Sequence, residues 1–226
     1  MDEGDDRSWS RAADRLARDT ANGAAPTRWV EELWAAAERD EIDTPWDRTD
    51  PFPAVAEMVA AMGAGDGRAA VVVGAALGAD AEALARAGWR TTAFDISPSA
   101  VRMVRRRHLD SSVDYRVGDL LDLDDELVGA FALVVEVFTV QAMPPAVRRR
   151  AIDGVRRLIA PGGCAVVVQF VRGDVPPGDG PPWLLDRAEM ESFAEGDVAL
   201  TSLHDAPSPR DDRDTRIWVA RLDRLP

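Results

Sequence analysis

The chain is poor in several residues that other protein classes depend on. It has one cysteine, Cys164, in 226 residues. That excludes an intramolecular disulfide framework and any zinc site built from several cysteines. It has no lysine, so all 27 basic residues are arginine, and it has only two histidines. No apolar run approaches the roughly 18 residues that a membrane-spanning helix needs. The first residues, Met1 to Asp6, are acidic, whereas a secretory signal starts basic and continues apolar. The expectation is a cytoplasmic protein with no membrane partner. Acid outweighs base: the formal net charge is −13 and the pI about 4.6. Such a mean field repels a phosphate backbone, so nucleic acid is not an expected partner. The basic clusters Arg105–Arg107 and Arg148–Arg150 lie on predicted helices among acidic neighbours and read as solvated helix faces.

What is present is an ordinary globular mix, 46% hydrophobic and 30% charged, enough to bury a sizeable core. Residues 1–65 read as an amphipathic helical extension. Trp29, Val30, Leu33, Trp34 and Ala37 recur at helical spacing behind Thr27, a candidate N-cap. From residue 66 to 226 strands and helices alternate. Val71-Val72-Val73 lies in a β-branched run of the kind buried on both faces of a sheet. Ser97-Pro98 has the form of a helix start. Asp186 with Glu189 three residues on forms a capping-box pattern. Two strand candidates, Val198–Leu203 and Thr215–Leu222, close the chain. The alternation predicts a doubly wound, seven-stranded, mostly parallel sheet with right-handed crossovers.

The turn from Gly74 to Gly78 links the first strand to a helix. Glycine lets a ligand approach the main chain, and a helix start offers free N–H groups. Ala75 and Ala76 between the glycines are small. Asp95 ends the second strand about 20 residues after Gly74, where doubly wound sheets place a carboxylate on ribose hydroxyls. Asp119 follows the third strand, where a carboxylate can meet an adenine amino group, with Leu120 able to pack on the ring. Glu136 ends the fourth strand, and Gln141 begins the approach to the next helix. Both are candidates to position an acceptor. Trp46 and Phe138 are candidates for cation–π contact or for packing. His108, His204 and Cys164 read as structural.

Gly74-Ala75-Ala76-Leu77-Gly78, Phe94-Asp95-Ile96-Ser97, Gly118-Asp119-Leu120 and Pro161-Gly162-Gly163 stand in the order and spacing of class I S-adenosylmethionine (SAM)-dependent methyltransferases. The chain resembles the small bacterial, thiopurine methyltransferase-like group of that family. Val113–Asp122, Val134–Pro145 and Pro45-Trp46-Asp47-Arg48 add to the likeness, which covers roughly residues 26–222. The resemblance implies SAM as cofactor and in-line methyl transfer to a small-molecule acceptor, by a monomer or homodimer. It implies a cofactor site of Gly74, Ala75, Ala76, Gly78, Asp95, Ile96, Asp119, Leu120, Glu136 and Trp46, and no metal. Two positions depart from the family pattern. Ala76 replaces the middle glycine of Gly-x-Gly-x-Gly, where its methyl group can crowd the methionine end. Val72 stands where many members carry an acidic residue for the SAM amino group, leaving Arg48 or Asp80 to serve that end. These departures keep a non-catalytic or repurposed SAM fold open as the alternative. A dinucleotide oxidoreductase fits less well, because its Gly-x-Gly-x-x-Gly falls here on Gly74, Ala76 and Ala79.

Overall fold

The structure, a computed structural model, describes residues 8–20, 25–174, 180–209 and 215–226. The acidic start of the chain and the middle of the Pro/Gly-rich stretch after Gly173 lie outside the described residues. Three helices come first: α1 (Ser8–Thr20), α2 (Arg28–Glu38) and α3 (Pro53–Met62). The alternating region follows as β1 (Ala69–Val73), α4 (Ala79–Arg86), β2 (Arg90–Asp95), α5 (Pro98–Arg107), β3 (Asp114–Val117), β4 (Phe131–Val137), α6 (Pro145–Leu158) and β5 (Ile159–Phe170). A short helix, α7 (Arg187–Glu191), precedes the closing hairpin of β6 (Val198–Pro207) and β7 (Arg216–Arg224).

The seven strands form one sheet in the order β3-β2-β1-β4-β5-β7-β6. Strands β1 to β5 pair in parallel, while β7 pairs antiparallel to both β5 and β6. The two-residue period of β1 divides its side chains between two cores. Val71 and Val73 pack with Val134, Val155 and Leu158 on the α6 side. Ala70 and Val72 pack with Val55, Leu84 and Val101 on the side of α3, α4 and α5. Burial on both faces explains why β1 reads as a continuous apolar run.

Local signals explain most element boundaries. Ser97 caps α5, its hydroxyl accepting from the Ala100 N–H at 3.0 Å. Asp186 and Glu189 complete the capping box of α7. Thr27 precedes α2, but its side chain makes no capping bond. Pro161-Gly162-Gly163 is absorbed into the long strand β5, whose pairing with β4 shifts register between Phe131 and Leu133. No helix among the described residues is long and apolar enough to cross a membrane.

The arginine clusters are not simply solvated faces. Arg106 pairs with Glu38 of α2, Arg107 pairs with Asp47, and Arg105 donates to the Tyr115 carbonyl. Arg148 is 5% exposed. It donates to the Trp183 carbonyl at 2.6 Å and to Glu189 at 2.6 Å. Its position follows helical period with Ala151, Ile152 and Val155, which are also buried.

Candidate cofactor and acceptor cavity

The strand order turns back on itself between β1 and β4, and ligands of open α/β sheets bind outside the strand ends at such a point. Register brings the ends together: Val73 pairs with Phe94 and with Glu136, and Asp95 pairs with Val117. A cavity opens there, outside the ends of β1, β2 and β4. The sheet contributes Gly74, Ala76, Asp95, Ile96, Asp119 and Leu120; the N-terminal region contributes Thr27, Val30, Trp34, Trp46 and Arg48.

The first turn is tied to the strand beside it. The N–H groups of Gly74 and Ala75 both donate to the Phe94 carbonyl. Gly74 and Gly78 have φ of 69° and 86°. A Cβ at Gly74 would fall 2.2 Å from the Thr139 hydroxyl, and one at Gly78 would fall 2.3 Å from the Tyr115 hydroxyl. Glycine is therefore needed there for backbone shape and packing. Ala76 takes the same left-handed region, with φ 44°. Its methyl group joins the cluster of Trp34, Leu77 and Ala100. Trp46 and Phe138, also at the cavity, have φ of 49° and 62°. Three non-glycine residues in this costly region line one cavity. Such strain persists only where the surroundings over-determine the backbone, as they do at functional sites.

Asp95 is 6% exposed. Its Oδ1 accepts from the Ser97 N–H at 3.0 Å and its Oδ2 from the Ala76 N–H at 3.1 Å. Burial pushes its pKa up to about 6, against those two bonds, and the nearby Glu31 charge adds to the rise. Each carboxylate oxygen keeps lone-pair capacity for another donor. Asp119 accepts from the Leu121 N–H through Oδ1 only, at 2.8 Å. Arg48 meets Asp80 at 2.5 Å, and Asp80 also accepts from the Phe52 N–H at 2.7 Å. Guanidinium and carboxylate thus stand side by side in the cavity wall.

Four expected site residues fall elsewhere. Ala75 is buried in the core on the α4 side. Gly78 packs against Tyr115 and Val104. Glu136 is fully buried, and its carboxylate is consumed by the turn that follows β4. Its Oε1 accepts from the Thr139 N–H at 2.7 Å and the Val140 N–H at 3.0 Å; its Oε2 accepts from Gln169. Burial pushes its pKa up to about 7 despite these donors. Gln141 accepts from the Phe170 N–H at 2.6 Å and donates its own N–H to Gln169. Both act as internal braces. The cavity also takes in Val30, Trp34, Thr139 and Met143, none of which was named as a site residue, although Thr139 and Met143 lie in the stretch Val134–Pro145 that carries part of the likeness. The helical spacing of Trp29, Val30, Leu33, Trp34 and Ala37 marked α2 as amphipathic but not which of these residues face the cavity. No cluster able to hold a metal occurs among the described residues.

Residues 60–163 match the family model described as a methyltransferase domain. The fold is that of a class I methyltransferase. In this methyltransferase fold the matched segment carries β1 to β4, with both the glycine turn and Asp95. "Ubiquinone biosynthesis O-methyltransferase" of Xanthomonas campestris pv. campestris (strain B100) is 35% identical over 127 residues, 52% of this chain and 52% of that protein. The chain thus spans about half the length of the curated relatives it matches. Among solved structures, the [4+2]-cyclase SpnF aligns with a TM-score of 0.70 and 17% identity, over 88% of this chain and 96% of that one. The N-methyltransferase NodS from Bradyrhizobium japonicum WM9, in complex with S-adenosyl-L-homocysteine (SAH), aligns with a TM-score of 0.63 and 22% identity, over 84% and 97%.

Proposed function

We propose that this chain binds SAM in the strand-end cavity and transfers its methyl group to a small-molecule acceptor. The carrying observation is Asp95: a buried carboxylate at the end of β2, held by backbone donors alone, with capacity left on both oxygens. A ribose diol supplies the two donors that this environment lacks.

The remaining residues fit the same group. Asp119 has one oxygen free for the adenine amino group, and Leu120 lies beside it. Arg48 and Asp80 match the opposite charges of an amino acid end, the task that Val72 cannot perform. Ala76 lines the cavity and packs against the cluster of Trp34, Leu77 and Ala100. Bound SAM supplies a sulfonium-activated methyl group, so the protein's work is positioning and exclusion of water. Trp46, Phe138, Val30 and Met143 form the apolar wall for that work. Glu136 and Gln141 support the site from beneath, without touching it.

Residues 1–65 are read as an extension that closes the cavity, and 66–226 as the catalytic domain. Trp46 and Arg48 at the cavity favour the thiopurine methyltransferase-like group, since both come from the motif shared with it. Cytoplasmic location and a monomeric or homodimeric state complete the reading. The neighbour named as a [4+2]-cyclase favours a second reading, a SAM site serving other chemistry, because fold alone does not set the reaction. Incubation with methyl-labelled SAM and a panel of thiols, amines, phenols and carboxylates tests the proposal. Label is expected in a small molecule. SAH binding without any transfer would favour the second reading, and labelling of nucleic acid alone would refute the small-molecule assignment.

A further inference from the structure

Glu31 was singled out by no motif, yet its carboxylate joins α2 to the rest of the fold through part-buried hydrogen bonds. It meets the start of α5 through three contacts. Its Oε2 accepts from the Ser97 hydroxyl at 2.5 Å and the Ser99 N–H at 3.1 Å, and its Oε1 accepts from the Ser99 hydroxyl at 2.8 Å. A negative charge suits this place, where helix N–H groups lack partners. Ser97 is also the residue whose N–H holds Asp95 Oδ1. One residue therefore joins Glu31 to the ribose-facing carboxylate. The Ser97 hydroxyl extends the chain of bonds by accepting from the Ala100 N–H.

The face of α2 that carries Glu31 also walls the cavity. Thr27, Val30 and Trp34 line it, and Glu38, one further step along that face, pairs with Arg102 and Arg106. These last pairs involve arginines that are 53% and 58% exposed, and exposed pairs contribute little. The Glu31 bonds are half-buried and converge on the turn that aims Asp95.

We infer that Glu31 is a positioning residue that couples docking of α2 over the cavity to the ligand-ready conformation of the Asp95–Ser97 turn. The inference rests on the proposed SAM site for the identity of the ligand. Glu31 acts on the cofactor through the Asp95–Ser97 turn, so the two residues do not contribute independently.

The test is calorimetric titration of SAH into the full chain and into Glu31→Ala, Asp95→Ala, the double variant and Glu38→Ala. Loss of a charge-assisted set of bonds predicts about ten- to a hundredfold weaker binding for Glu31→Ala. Glu38→Ala is expected to weaken binding by less than about threefold. The double variant is expected to bind no more weakly than Asp95→Ala alone, because interacting residues are not additive. Losses for Glu31→Ala and Asp95→Ala that multiply in the double variant would overturn the inference, as would unchanged binding by Glu31→Ala. Glu31→Gln keeps the side-chain shape and one acceptor, and carries the same cycle if the alanine variant fails to fold. Absence of SAH binding by the unaltered chain would instead overturn the cofactor reading on which the inference stands.

Discussion

Replacing Glu136 by glutamine separates a brace from a catalyst. The carboxylate accepts from three donors: the Thr139 and Val140 N–H groups and the Gln169 amide. The new amide keeps one acceptor oxygen for the turn, but its NH2 then faces the NH2 of Gln169. Gln169 cannot rotate to accept it, because its own oxygen already accepts from the Gln141 N–H at 3.1 Å. One pair of buried donors is left opposed. A buried polar group without a partner costs about 1–3 kcal/mol, and for a chain of this length each kcal/mol lowers Tm by about 2–4 °C. Thermal unfolding of Glu136→Gln is therefore expected to show a midpoint about 4–8 °C lower, for a central loss of about 2 kcal/mol. SAH affinity at a temperature well below the transition is expected to stay within about threefold, since Glu136 lies outside the cavity. An unchanged midpoint with binding or turnover reduced tenfold or more would refute this reasoning and return Glu136 to the site.

Three further perturbations probe the site itself. Ala76→Gly removes a left-handed alanine, a strain of about 1–2 kcal/mol, at the expense of one packed methyl group; the variant is expected to bind SAH at least as tightly, measured by titration. Arg48→Ala is expected to weaken SAH about tenfold or more but to leave methylthioadenosine, which lacks the amino acid end, unaffected in the same titration. The third is pH. Burial holds Asp95 at about 6 in the folded chain, above the ordinary 3.8. Hydroxyl donors favour its ionised form, so SAH affinity is expected to fall as pH drops through about 6 and to level off above it. For the unliganded chain the sign is opposite. A raised folded-state pKa means that the stability held by Asp95 is full below 3.8 and lost as pH rises through about 6.

Much of the fold was legible because strand and helix periods differ and because glycine and proline mark the joins. Val71 to Val73 announced a strand buried on both faces, and Ser97-Pro98 announced α5. The strand ends were legible too, which placed Asp95 and Asp119 at one edge. Position at a strand end does not say which way a side chain turns. Glu136 shares the face of Val134 and folds back under its own turn, so it leaves the cavity despite standing beside it. Ala75 belongs to the motif but is buried in the core, and Gly78 leaves no room for a side chain beside Tyr115 and Val104. Arg148 shows the converse: charge suggested solvent, while its helical period with Ala151, Ile152 and Val155 pointed to burial. The N-terminal wall was hardest to foresee, because contacts such as Glu31 with Ser97 join residues 66 positions apart and leave no local pattern.

The most direct measurement is the titration of SAH into the full chain beside its Asp95→Ala variant. The account predicts saturable one-to-one binding to the first and a loss of about tenfold or more in the second. No binding by the unaltered chain at millimolar SAH, or equal binding by both, would contradict it.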